Sequence, residues 1–158
     1  MNRTQLQQLA EERVRNAEAL LNAGAAMDQG PLVMQEIDAG AALVREFDKY
    51  APVQVAFWLK ASDREYRYLY IASERIDDTN IDVAYGEVLR LANQLQSAYL
   101  DPFRVKLVSA EDPLAKAAVQ INKHFSSRTA TRFGGRSFGG ISVDDVYIYP
   151  SPLPAAVP

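Results

Sequence analysis

Apolar residues recur along the chain first at a helical period, then at a period of two, and the switches between these periods mark out the elements. Leu6, Leu9, Ala10, Val14, Ala17 and Leu21 fall on one helical stripe, the spacing of an amphipathic helix. Thr4 and Gln7 have capping-box spacing at its start, and Gly24 is a suitable C-terminal stop. Val33, Ile37, Ala41, Val44 and Phe47 repeat the stripe behind Pro31, a residue suited to the first position of a helix. These two segments predict an αα-hairpin that must bury its stripes on another surface.

The period then drops to two. Val53, Val55, Phe57 and Leu59 alternate with Gln54, Ala56, Trp58 and Lys60, and beyond a polar loop Tyr66, Tyr68 and Tyr70 alternate with Arg67, Leu69 and Ile71. This is the pattern of a β-hairpin. Ile81, Tyr85, Val88, Ala92, Leu95 and Tyr99 return to helical spacing behind Thr79 and Asp82, again a capping-box pair, and Asp101-Pro102 ends the segment. Phe103, Val105 and Leu107 predict a third strand, alternating with Arg104 and Lys106. Asp112-Pro113, an N-cap followed by proline, opens a helix with Leu114, Ala117, Ala118, Ile121 and Phe125 on its apolar face. The C-terminal part reads as strand 129–133, glycine loop 134–140 and strand 141–149.

The element order ααββαβαββ predicts an α+β fold: a mixed sheet of about five strands, an N-terminal helical hairpin and two crossover helices, both crossovers joining parallel strands. The chain of 158 residues is the size of one domain, expected over residues 1–149, and can bury roughly 70% of its unfolded surface without a disulfide or metal. The proline-rich segment 150–158 is expected to be an extended, mobile tail.

Composition narrows the chemistry. The chain has no cysteine, which removes thiolate metal sites, disulfides and cysteine nucleophiles. No apolar run approaches the roughly 18 residues of a membrane span, and the N-terminus lacks the apolar core of a signal peptide. A cytoplasmic protein without membrane contact is expected. The net charge is only −3, but it is unevenly placed. Across residues 113–143 Lys116, Lys123, Arg128, Arg132 and Arg136 meet no acid. Across residues 74–87, Glu74, Asp77, Asp78, Asp82 and Glu87 face only Arg75. Such asymmetry predicts an electrostatically polar surface.

Four features are candidates for function, each beside a structural reading. A register placing Trp58 opposite Tyr68 and Ala56 opposite Tyr70 gathers Trp58, Tyr66, Tyr68 and Tyr70 on one sheet face, which would stack single-stranded bases. The helical hairpin needs the same face, and a slip of one residue would move the tyrosines to the side of Phe57. Both alternatives make the tyrosines core. The glycine segment from Arg132 to Gly140 offers an anion-binding edge of Lys123, His124, Arg128, Arg132 and Arg136. However, it runs into a strand rather than a helix, so a hairpin turn with glycines at positive φ is preferred. His124, the only histidine, reads as a residue of the helix C-terminus. Glu74, Asp77, Asp78 and Asp82 form a candidate acidic patch, with Asp77-Asp78 opening the cap of the following helix. Asp144-Asp145, inside an apolar strand, marks a bulge or bend.

No catalytic residue, metal site or cofactor is assigned. The expectation is a non-catalytic interaction or accessory protein, acting as a homo-oligomer or with a protein partner, its basic and acidic patches meeting between copies. The alternative is a nucleic-acid or phosphate-ligand protein, with or without enzymatic activity, using the basic hairpin 128–136.

Overall fold

The computed structural model describes residues 3–5, 7–8, 31–125 and 129–153. The chain divides into two compact units, residues 1–34 and 35–158. In the first, residues 3–5 and 7–8 are helical; the rest of the predicted first helix lies outside the described residues.

The second unit is an α+β fold around a six-stranded mixed sheet. In chain order its elements are α1 (Met34–Tyr50, its first residue belonging to the first unit), β1 (Val55–Ala61), β2 (Tyr68–Ser73), α2 (Ile81–Leu95), a 3-10 turn (Pro102–Arg104), β3 (Val105–Ser109), α3 (Pro113–His124), β4 (Thr131–Phe133), β5 (Arg136–Phe138) and β6 (Ile141–Ile148). The strand order is β3-β2-β1-β6-β4, with β5 also on β6. Among the described residues only β2 and β3 pair in parallel.

The sixth strand comes from the glycine segment. β4 and β5 keep one register along β6, from Thr131↔Ile148 to Phe138↔Ile141, and are interrupted only at Gly134-Gly135. The expected loop 134–140 therefore contracts to a two-residue turn, Gly139-Gly140, with φ of 56° and 88°. Positive φ at both turn positions is the type I′ requirement, which glycine meets without strain. Opposite, the β1–β6 register shifts between Lys60 and Ala61, so Asp144 is an extra residue in β6. This is the bulge that the paired aspartates suggest.

Three expectations are corrected. The β2–α2–β3 crossover is parallel as expected, but the second crossover is not. From β3, α3 carries the chain over the sheet to the opposite edge, and the chain of pairings leaves β4 antiparallel to β3. The N-cap position of α2 is Asn80 rather than Thr79, and its side chain makes no capping bond to the helix; its amide instead ties the preceding turn, donating to the Arg75 carbonyl (2.5 Å) and accepting from the Asp77 amide (2.9 Å). Phe103 does not begin a strand. Asp101 accepts from the Phe103 amide (2.9 Å), capping the 3-10 turn, and β3 starts two residues later. At α3 the predicted cap forms, Asp112 accepting from Leu114 (2.9 Å) and Ala115 (3.3 Å).

The β1–β2 register differs by one residue from the aromatic-face arrangement: Phe57 faces Tyr70, Leu59 faces Tyr68 and Trp58 faces Leu69. One sheet face carries Val55, Phe57, Leu59, Tyr70, Val146 and Ile148 and is covered by Ala115 and Ala118 of α3. The rings of Phe57 and Tyr70 stack at 5.0 Å. On the other face the Trp58 indole N–H donates to the Tyr149 hydroxyl (2.8 Å), which donates to the Ile37 carbonyl of α1 (2.6 Å). Gly40 makes this approach of helix to sheet achievable. A Cβ there would collide with the Tyr149 hydroxyl and lie 3.0 Å from the indole nitrogen.

Candidate functional site

β2 and β3 are the point where the sheet changes its winding. The chain leaves β2 into α2 and leaves β3 into α3, which covers the Phe57 face. Ala84, Val88 and Leu91 of α2 are buried outside that cluster, so the two connections depart to opposite sides. In open α/β sheets such a divergence opens a crevice beyond the carboxyl ends of the strands. Here a crevice of ≈560 Å³ lies at that position, between the loop after Ser73 and the loop after Ser109. This volume falls in the range of small-ligand sites.

The two loops start alike. Ser73 accepts from the Arg75 amide at 3.2 Å and Ser109 from the Glu111 amide at 3.3 Å. Each hydroxyl closes the first turn of its loop, and an acidic side chain from each loop lines the crevice. Glu74, Asp77 and Glu111 line the crevice together with Lys116 and Lys123 of α3. Glu111 pairs with Lys116 at 2.9 Å, and this hydrogen bond and charge hold its carboxyl below the usual range. The Thr79 hydroxyl and then its amide do the same for Asp77. Both carboxylates are thus ionised at neutral pH and hold no proton to give. The Gln54 side-chain oxygen, also in the lining, is buried with no hydrogen-bond partner. Among the described residues no group of three metal-ligating side chains gathers.

The crevice brings together parts of the two charge runs. Glu74 and Asp77 of the acidic run and Lys116 and Lys123 of the basic run line one cavity within one chain. Asp78 and Asp82 are exposed outside it, Asp82 in the first turn of α2, where a helix favours negative charge. The candidate anion-binding residues disperse. Lys123 lines the crevice, and His124 is the exposed last residue of α3. Arg128 lies outside the described residues. Arg132 makes a bidentate pair with Asp145 (3.1 and 2.9 Å), which Arg67 also meets at 3.3 Å. Arg136 lies over the Phe133 ring at 5.0 Å.

The four aromatics do not share a face. Trp58 is 4% exposed beneath α1, while Tyr66 and Tyr68 lie on the opposite side as half-buried residues that engage cations. The Arg104 guanidinium sits 3.4 Å over the Tyr66 ring, and the Lys106 ammonium sits 4.4 Å over Tyr68 and 5.7 Å from Tyr70. The cations are those that alternate along the third strand in the sequence. Parallel pairing of β3 to β2, with Tyr70 opposite Lys106, turns two separate alternations into one ladder of aromatic and basic side chains. Compared with protein families, curated proteins and solved structures, the chain matches none significantly.

Proposed function

We propose that this chain is a non-catalytic binding protein whose crevice at the carboxyl ends of β2 and β3 takes a ligand or partner segment presenting both a positive and a negative group. The observation that carries this reading is the mixed, fixed charge of a cavity at the topological switch point. Its displaced carboxylates are displaced downward, which suits recognition by held charge rather than proton transfer. The buried Gln54 oxygen adds an acceptor whose desolvation a ligand N–H would offset. Because both charge runs contribute to this cavity, their complementarity is used within one chain and does not require a second copy.

The test is an amide-resolved NMR titration with diglycine and with its N-acetylated and amidated forms. Diglycine is expected to shift Gln54, Ser109 and Glu111. Removing either of its terminal charges, or substituting Glu74→Ala or Lys123→Ala, should weaken the effect. A crevice unmoved by millimolar diglycine overturns the reading. The phosphate-ligand alternative relies on Arg132, whose donors are directed to Asp145. It would regain ground if single-stranded oligonucleotide bound with a log–log salt slope that falls by roughly 0.7 in Arg132→Ala, the share of one phosphate contact.

A further inference from the structure

The other end of β3 has a different lining. The capped 3-10 turn Pro102–Arg104 directs Phe103 away from the sheet, leaving it 77% exposed. Leu89 of α2 is 47% exposed. Together with Tyr68, Tyr85, Pro102 and Val105, these side chains line a groove of ≈400 Å³ whose only charged member is Lys106. An isolated exposed aromatic is ordinary. An exposed aromatic that lines a groove together with a single cation fits a small-ligand site, mostly apolar with a few placed polar groups.

Lys106 carries the argument. Its ammonium makes no hydrogen bond or ion pair among the described residues, and its contacts are the Tyr68 and Tyr70 rings. Partial burial first, and the charge of Arg64 second, press its pKa below that of an ordinary lysine. The carboxylates of the flanking turns are occupied: Asp101 accepts from the Phe103 amide and lies 3.7 Å from Arg104, and Asp112 caps α3. Beside it, the Tyr85 hydroxyl accepts from the Leu107 amide at 3.0 Å, so its own proton remains to be donated. A partly buried cation and a hydroxyl donor thus line one otherwise largely apolar groove. A desolvated charge without a partner costs stability, and a bound counter-charge recovers it.

We propose that this groove binds a small amphipathic anion, its carboxylate or phosphate head on Lys106 and Tyr85 and its short aryl or alkyl body against Phe103, Leu89 and Pro102. The site is independent of the crevice at the opposite end of the strand.

The test titrates the full chain with 2-naphthoate and with the uncharged 2-naphthylmethanol, followed by amide NMR. Naphthoate is expected to shift Leu89, Phe103, Val105 and Lys106, and the alcohol to bind at least about tenfold more weakly, the value of one charge-assisted hydrogen bond. Lys106→Gln should lose that discrimination and Lys106→Arg should keep most of it. Phe103→Ser, at a surface position, should weaken both probes without lowering thermal stability, and Arg136→Ala, on a strand that does not line the groove, should leave the binding of both probes unchanged. Equal binding of acid and alcohol, an unchanged Lys106→Gln, or shifts confined to the crevice overturns the proposal. So does binding of an acidic peptide at this groove without binding of naphthoate.

Discussion

The two ends of β3, a strand of five residues, solve the problem of charge in opposite ways. At the carboxyl end, Glu111 and Lys116 pair and Asp77 is held by Thr79, so three of the charged groups lining the crevice already have partners within the chain. At the amino end, Lys106 rests on two aromatic rings with no carboxylate partner among the described residues. The difference follows from what each end is built from. The carboxyl end gathers two loops rich in polar residues, whereas the amino end is reached through a compact turn that exposes Phe103. A cavity of both signs of charge, most of them already partnered, selects by matching that pattern; a cation without a counter-charge selects for the one it lacks.

The largest effect expected on this comparison is from Ala118→Leu. Ala118 of α3 is fully buried against the sheet, and overpacking there should cost about 1–3 kcal/mol. Because α3 supplies both crevice lysines, amide shifts should spread through Lys116 and Lys123 while Phe103 and Lys106 stay in place. Disturbance of both ends together would show that they are one unit. Asp112→Ala removes the cap of α3 and should lower stability by about 1 kcal/mol, read by chemical denaturation. Glu111→Gln breaks an exposed pair and should move stability by well under about 1 kcal/mol.

Acid and base titrations sharpen the contrast with the smallest signals. Asp77 and Glu111 have pKa values lowered in the folded state. Their contribution is present above the ordinary carboxylate range and lost as pH falls through the lowered values. Lys106 is a base whose folded pKa is also lowered, so its charged form is the disfavoured one. Its penalty is present at neutral pH and relieved as pH rises through the folded value towards the ordinary lysine value. Lys106→Met should therefore gain relative to wild type at neutral pH, and the gap should close towards the lysine range in denaturation midpoints measured across pH. A constant gap would mean that the ammonium carries no such penalty.

Much of the framework was legible in the residues because local chemistry decides it. Asp112-Pro113 starts a helix, Gly139-Gly140 closes a hairpin, and two adjacent aspartates in an apolar strand make a bulge. The register of β1 on β2 was not legible, since residues 55–59 are buried on both faces and alternation no longer distinguishes inside from outside. The strand position of Phe103 failed because the Asp101 cap competes locally with strand extension. The crevice was invisible for a different reason. Its lining runs from Gln54 to Lys123 and is assembled by the divergence of two connections, which no local pattern encodes. Arg132 finds Asp145 only through the diagonal of the β4–β6 pairing, where Arg132 faces Tyr147.

Trp58 gives the molecule an optical reporter of its own architecture. It is the chain's one tryptophan, and its indole is tied through Tyr149 to the backbone of α1. Water reaching that indole would shift its emission to the red, and the polypeptide segment whose departure admits water is α1. A red shift that precedes the loss of far-ultraviolet ellipticity would mark the lifting of this helix from a sheet that is still intact. Coincident transitions would mean that helix and sheet come apart as a single cooperative body.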